Sequence, residues 1–147
     1  SGIPHSLSRG PKFLKEESDI RDQVFELLRI FRLEDAANAE ASSLPYGDQR
    51  RLEIVRALAT RPKLLLLDEP AAGMNPTEKV GLMDLIRFVK DKFKLSVLLV
   101  EHDMKVVMGI CQRVAVLEYG CKIADDTPDK VRANRKVIEA YLGESHD

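Results

Sequence analysis

Residues 64–70 of this 147-residue chain read Leu-Leu-Leu-Leu-Asp-Glu-Pro. Four consecutive leucines between two prolines are typical of a buried parallel strand, so a strand is predicted over residues 63–68, covered on both faces. Its two acids would then stand at the carboxyl edge of the sheet, where open α/β sheets bind ligands. There an Asp can hold Mg²⁺ through water, and a Glu can orient an attacking water. Taken alone, an ordinary acidic turn explains the same residues equally well.

Helix and strand patterns alternate on both sides of this segment, which implies parallel strands joined by right-handed crossovers. Helices are predicted near residues 20–31, 47–61, 76–94, 104–111 and 134–142, with a short one from Thr127, and strands at 95–101, 113–118 and 121–125. Residues 1–15 contain Gly, Pro and Ser without an apolar period and are interpreted as a loop or a frayed end.

Several turn and cap residues support these boundaries. Asn75 with Glu78 three residues later predicts a capped helix start, and Asp103 predicts another. Residues 119–120, Tyr-Gly, predict a tight hairpin turn, and Gly143 stands where a C-terminal glycine cap belongs.

The composition excludes several classes of protein. The chain is 44% hydrophobic and 32% charged, with a net charge of −1, so nothing in its charge favours nucleic acid or anionic lipid. No apolar run exceeds four residues, whereas a membrane-spanning helix needs about 20. Cys111 and Cys121 lie in no Cys/His cluster, which argues against structural zinc.

Two further segments carry potential chemistry. Residues 44–54 read Leu-Pro-Tyr-Gly-Asp-Gln-Arg-Arg-Leu-Glu-Ile, a Gly-containing turn that opens a helix. Free amides at a helix start attract anions, although an ordinary loop-to-helix junction is the better explanation of this segment alone. His102 follows the strand at residues 95–101 and could donate to a phosphate oxygen. For a lone His, a polar residue beside a helix cap is the better explanation.

As a set, in this order and spacing, these segments resemble the ATP-binding-cassette (ABC) ATPases. Residues 44–49 are similar to the signature motif, residues 64–69 to the Walker B strand, residues 72–75 to the D-loop, and His102 to the switch histidine. The wording of the motifs resembles the ATP-binding subunits of branched-chain amino-acid importers. The resemblance implies an α/β fold: a partial P-loop NTPase (ABC ATPase) fold with a mostly parallel sheet and flanking helices.

The resemblance also implies ATP and Mg²⁺ as cofactors and assigns roles to particular residues. Asp68 would help to hold Mg²⁺ through water, Glu69 would polarise the hydrolytic water, and His102 would contact the γ-phosphate. The segment expected to cover ATP bound to a second ATPase subunit consists of Leu44, Pro45, Tyr46, Gly47, Asp48 and Gln49. The D-loop residues are Gly73, Met74 and Asn75, of which Asn75 would communicate across the dimer.

The sequence departs from the family pattern at several positions. Pro45, Tyr46 and Asp48 stand where the signature usually has Ser, Gly and Gln, and Asn75 replaces the more common Asp. None of the eight glycines is followed by Lys, so the phosphate-binding loop G-x-x-x-x-G-K-[ST] is not found. Phosphoryl transfer depends mainly on positioning and charge neutralisation, and the chain alone is therefore expected to be inactive.

The chain thus resembles the C-terminal part of an ABC ATPase. The predicted organisation is a flexible leader, part of the helical subdomain with the signature, the C-terminal part of the ATPase core, and a helical tail, at residues 1–17, 18–61, 62–126 and 127–147. In the family, the phosphate-loop strand lies between the strands matching residues 95–101 and 113–118. An open slot there would expose backbone and apolar faces, which predicts closure of the gap, strand exchange or self-association.

The implied partners are a second ATPase subunit, in a homo- or heterodimer, and membrane permease subunits that would hold the protein at the cytoplasmic face of the membrane. No nucleic-acid partner is expected. A non-catalytic dimerisation or interaction module derived from an ABC ATPase remains the alternative. A non-transport ABC ATPase of repair or translation is a weaker third interpretation.

Overall fold

The structure is a computed structural model and describes residues 10–142. The chain divides into two compact units, Ser1–Leu65 and Leu66–Asp147. The predicted boundaries at residues 17/18, 61/62 and 126/127 remain predictions.

The first unit is helical. It contains α1 (Pro11–Ile30), two 3₁₀ turns (Glu34–Ala36 and Ala41–Ser43) and α2 (Tyr46–Leu58). The buried apolar side chains of these helices and of the segment after α1 are Leu28, Phe31, Leu33, Ile54, Val55 and Leu58.

The loop predicted over residues 1–15 is wrong for residues 11–15, which form the first turns of α1, whereas residues 1–9 lie outside the described part. The physical reason is Pro11, which was interpreted as a loop signal but occupies the first helical position, where its lost amide costs nothing. The buried stripe predicted for this helix is also only partly correct. Leu28 and Phe31 are buried, but Ile20 and Val24 are exposed.

The second unit alternates strands and helices. After β1 (Leu64–Asp68), which the division between the units crosses, the elements are α3 (Pro76–Phe93), β2 (Ser96–Val100), α4 (Met104–Ile110), β3 (Val114–Glu118), β4 (Cys121–Asp126), α5 (Pro128–Arg132), α6 (Arg135–Val137) and a π-helical turn (Ile138–Leu142). The helix predicted over residues 134–142 is thus an α-helical turn that continues as a π-helix. The predicted cap at Gly143 lies outside the described residues.

The described strands form two separate two-stranded sheets, β1–β2 and β3–β4. The second is an antiparallel hairpin that pairs Val114 with Asp126 and Glu118 with Cys121, as predicted. Its turn places Tyr119 at φ 46° and Gly120 at φ 77°, as two-residue hairpin turns require. Strands β2 and β3 are not hydrogen-bonded neighbours within the described residues, so the gap expected between them is not closed by their pairing.

Among residues 10–142, only one face of β1 and β2 is covered. Leu67, Val97 and Leu99 pack against a core of Ala71, Leu82, Ile86 and Val106, which come from the segment after β1 and from α3 and α4. Leu66, Leu98 and Val100 alternate with these residues and are 64%, 56% and 55% exposed. The prediction that the strand at residues 63–68 is covered on both faces is therefore wrong. A leucine run indicates that both faces of a strand can pack against apolar side chains. It does not indicate whether the chain supplies a packing partner for each face.

Both predicted helix caps are present. Asn75 and Glu78 form a reciprocal capping box at α3: the Glu78 amide donates to Asn75 Oδ1 at 2.9 Å, and the Asn75 amide to Glu78 Oε2 at 2.8 Å. Asp103 caps α4 by accepting from the amides of Lys105 and Val106. Between residues 10 and 142, no helix combines the length and apolar content needed to cross a membrane.

Candidate functional site

The ends of β1 and β2 bring two of the predicted site residues together. The backbone amide of Glu69 donates to the carbonyl of Val100 at 2.8 Å, which joins the residue after β1 to the last residue of β2. Across this junction Glu69 Oε1 lies 3.5 Å from His102 Nδ1, and both side chains are exposed to solvent. The arrangement presents a carboxylate and an imidazole side by side, accessible to a ligand.

Glu69 has an unusual backbone conformation, with φ at 43°. Residues other than glycine seldom adopt this left-handed region, because their Cβ crowds the backbone there. Such strain is common at functional sites, where the surrounding structure holds a side chain in a direction it would not otherwise take.

Glu101 connects the two segments that carry the exposed pair. One of its oxygens, Oε1, accepts from the amide of Ala71 at 2.8 Å, and Oε2 accepts from the amides of His102 and Asp103 at 3.2 and 3.4 Å. No motif in the sequence assigns a role to Glu101. An acid at the end of a strand carries no signal that it will meet an amide 30 positions away.

A second link joins the start of α3 to the start of α4. Lys79 Nζ donates to Asp103 Oδ2 at 2.6 Å, and both side chains are partly buried. This hydrogen bond lowers the pKa of Asp103 below its ordinary value, aided by the amides of Val106 and Lys105 and opposed by burial. Lys79 was also not identified from the sequence, because its partner lies on another helix.

Asp68, the predicted magnesium ligand, ends β1 and is exposed. Within residues 10–142, no group of three or more His, Cys, Asp and Glu side chains could hold a metal ion. A single carboxylate, that of Asp68, fits Mg²⁺ bound mainly through water and substrate phosphates, since that ion commonly uses only one or two protein carboxylates.

The three D-loop residues lie in the segment between β1 and α3. Gly73 adopts φ 74°, Met74 packs against the core cluster that contains Ala71, and Asn75 caps α3. The positive φ explains why glycine suits position 73.

The signature-like residues lie in the first unit and form the start of α2. Pro45 is the N-cap, and its carbonyl accepts from the amides of Asp48 and Gln49 at 2.9 and 3.0 Å. Gln49 Nε2 donates to the carbonyl of Leu44 at 2.8 Å, which fixes the entry into the helix. Around Gly47, the space that a Cβ would occupy is open.

Tyr46 is held by an arginine one turn further along. Arg50 donates to the hydroxyl of Tyr46 from Nε and Nη2, at 3.0 and 2.7 Å, and its guanidinium lies 5.0 Å from the ring centroid. The Tyr46 hydrogen bond, together with Glu53, raises the pKa of Arg50. Asp48 lies 3.7 Å from Arg51, which offsets part of its negative charge.

Comparison with known proteins supplies the family. A sequence model described as "ABC transporter" matches residues 4–72, and one described as "Branched-chain amino acid ATP-binding cassette transporter" matches residues 121–147. The high-affinity branched-chain amino acid transport ATP-binding protein LivG of Escherichia coli K12 is 45% identical over 145 residues, or 99% of this chain. Along almost its whole length the chain is therefore similar to ABC transporter ATP-binding proteins.

Further similarities agree with this assignment. BraF of Pseudomonas aeruginosa, also named a high-affinity branched-chain amino acid transport ATP-binding protein, is 45% identical over 95% of the chain. The ADP conformation of MJ1267, an ATP-binding cassette of an ABC transporter, superposes with a TM-score of 0.77 and 28% identity over 86% of the chain. These results confirm the predicted α/β ABC ATPase fold class.

The chain covers only part of these proteins. It spans 57% of LivG, 54% of BraF and 51% of the MJ1267 chain.

Proposed function

We propose that this chain contributes the signature, Walker B and switch residues of an ATP-hydrolysing subunit of an ABC importer for branched-chain amino acids. The observation that supports this best is the approach of Glu69 Oε1 to His102 Nδ1 at 3.5 Å, beside Asp68 at the end of β1.

In the proposed reaction, the Glu69 carboxylate orients the hydrolytic water and accepts its proton. A carboxylate in hydrogen-bonding reach of water can do this without a covalent intermediate. The exposed His102 imidazole donates a hydrogen bond to the γ-phosphate. Its proximity to Glu69 supports a shared role for the two groups at one reacting centre.

Asp68 would hold Mg²⁺ through water, and the ion would neutralise charge on the phosphates of ATP. Asp68 itself needs only to be ionised, exposed and fixed at the strand end, and the structure shows it exposed as the last residue of β1.

The start of α2 would act on ATP bound to a second ATPase subunit. The proposed contact is made by residues 44–49, where the first-turn amides and the positive helix end favour an anion. The hydrogen bonds from Gln49 to Leu44 and from Arg50 to Tyr46 would keep this segment in one conformation. Asn75, at the start of α3, would communicate with that subunit.

The names of LivG and BraF support branched-chain amino acids as the transported class. Membrane permease subunits would then be required as partners and would hold the protein at the cytoplasmic face of the membrane. The phosphate-binding loop would have to come from a segment other than residues 1–147, and these residues alone are proposed to be inactive.

A chimera tests this proposal. The segment of LivG that this chain matches is replaced by residues 1–147, and the chimera is assembled with the LivG permease partners in vesicles. We expect ATP-driven uptake of leucine that exceeds uptake of a control solute such as lysine. A chimera that assembles and hydrolyses ATP without moving leucine would refute the solute assignment, and one that assembles but hydrolyses no ATP would refute the catalytic assignment.

A second candidate function is a non-catalytic interaction module derived from an ABC ATPase. The exposed apolar face formed by Leu66, Leu98 and Val100 favours it, because large exposed apolar patches usually mark contact surfaces. Under this alternative the chimera would still assemble, but the Glu69→Gln substitution would leave its behaviour unchanged.

A further inference from the structure

Glu101 receives hydrogen bonds from both of the segments that carry the exposed side chains of Glu69 and His102. Ala71 follows Glu69 by two positions and donates to Oε1, whereas His102 and Asp103 donate to Oε2. A single half-buried carboxylate therefore joins the segment after β1 to the segment after β2.

This junction differs from the other contacts between the two segments. The bond from Glu69 to the Val100 carbonyl involves only backbone, so it fixes the strand ends but not the course of the chain beyond them. Lys79 and Asp103 link α3 to α4 further along. Glu101 alone among these groups contacts both turns within two residues of the exposed side chains.

We propose that Glu101 is a positioning residue that keeps the Glu69 carboxylate and the His102 imidazole beside each other. The inference rests on the proposed function in that it gives those two side chains their roles. Both are more than half exposed and make only one mutual approach, at 3.5 Å. Their separation therefore depends on the backbone segments that carry them.

The junction depends on two acceptor oxygens in one side chain. Each oxygen of Glu101 faces amide N–H groups, so both must be acceptors. In Glu101→Gln, one oxygen becomes an NH₂ group that can only donate. In either orientation of the substituted side chain, its NH₂ group faces backbone N–H groups, either that of Ala71 or those of His102 and Asp103. Two donors cannot form a hydrogen bond, so the link to one segment is lost.

The test measures coupling between Glu69 and His102 by NMR on the full 147-residue chain. Removing the Glu69 charge in Glu69→Gln should move the ring Cε1–Hε1 resonance of His102, identified by its loss in His102→Asn. We expect that displacement to fall by about half or more in a Glu101→Gln background, as for coupled residues in a double-mutant cycle. The matched control background is Glu118→Gln, which makes the same change at the end of β3.

Equal displacements in the unaltered, Glu101→Gln and Glu118→Gln backgrounds would overturn the proposal. A second measurement needs no substitution: in the ¹⁵N,¹³C-labelled unaltered chain, a scalar coupling through the hydrogen bond should join Ala71 ¹⁵N to Glu101 ¹³Cδ. If Glu101→Gln does not fold, this scalar coupling becomes the test of the proposal. An undetectable coupling together with fast exchange of the Ala71 amide would count against the proposal.

These readouts do not depend on ATP turnover. An inactive but assembled chimera would refute the proposed catalytic function and leave the role of Glu101 intact. An active chimera, combined with a His102 displacement that is unchanged by Glu101→Gln, would support the catalytic function and refute the role of Glu101.

Discussion

At the scale of single residues, Glu69 combines backbone strain with an exposed, chemically useful side chain. Its φ of 43° lies in the left-handed region, and its amide is fixed to the Val100 carbonyl at 2.8 Å. A non-glycine residue in a sparsely populated region costs of order 1–3 kcal/mol. The sequence carries no sign of this strain, because Asp-Glu-Pro is compatible with an ordinary turn.

The strain leads to a stability prediction. Glu69→Gly should raise the free energy of unfolding by about 0.5–1 kcal/mol, because glycine adopts the left-handed conformation freely but also gains some freedom in the unfolded chain. The measurement is the urea midpoint, followed by NMR resonances from residues 66–142. The control, Glu118→Gly within β3, should lower the free energy of unfolding by a similar amount of about 0.5–1 kcal/mol. A lowered midpoint in both variants would contradict the strain assigned to Glu69.

At the scale of elements, α4 depends on Asp103 both as a cap and as an ion pair. Asp103→Asn should keep an acceptor for the Lys105 and Val106 amides but lose the charge opposite Lys79. The expected cost is about 0.5–1 kcal/mol for a partly exposed pair. Asp103→Ala should cost about 1 kcal/mol more, because the cap is also lost. Equal urea midpoints for the two variants would show that the cap contributes nothing.

The pH dependence of this contribution follows from the lowered pKa of Asp103. A carboxyl group whose pKa is lower in the folded state than in the unfolded state stabilises the fold. This stabilisation is fully present at pH values above the unfolded-state pKa, which is about 3.9 for Asp. That stabilisation is lost as the pH falls through the lower folded value. The difference in unfolding free energy between the unaltered chain and Asp103→Asn should therefore be equal at pH 7 and pH 5 and should shrink below about pH 4.

The elements also show what could be predicted from sequence. The caps at Asn75 and Asp103 and the hairpin turn after β3 were predictable, because each depends on residues within a few positions of one another. The early start of α1 was not, because Pro11 is equally suited to a loop and to a helix start. The bonds of Glu101 were not predictable either, because they depend on which strand ends become neighbours.

The candidate site divides in the same way. Motif wording and order were enough to predict Glu69 and His102 in a single site, and the structure places their side chains 3.5 Å apart. Their roles remain proposals. The positioning contacts of Lys79 and Glu101 have no local pattern and required the structure.

At the scale of the whole molecule, one face of β1 and β2 is apolar and open to solvent. Leu66, Leu98 and Val100 are each more than half exposed there. Burial of such side chains is worth roughly 25 cal/mol per Å² of apolar surface, so the face favours association with another apolar surface. The described residues of this chain do not cover it.

We therefore expect the isolated chain to self-associate through this face. Leu98→Lys should shift the sedimentation profile toward monomer, because it places a charge where an apolar contact would form. Val80→Lys is the matched control: Val80 is 57% exposed, close to the 56% of Leu98, but lies on α3, and its substitution should not alter association. A strictly monomeric unaltered chain, with slow amide exchange in β2 and β3, would argue against this prediction.

The rate of Mg²⁺-dependent ATP hydrolysis by the LivG chimera is the most direct test of the proposed hydrolytic site. We expect Glu69→Gln to lower the rate at saturating ATP by about 100-fold or more, as loss of a general base does, while Glu118→Gln stays close to the unaltered rate. A Glu69→Gln chimera that hydrolyses ATP as fast as the unaltered one would contradict the assignment of this chain to the hydrolytic site.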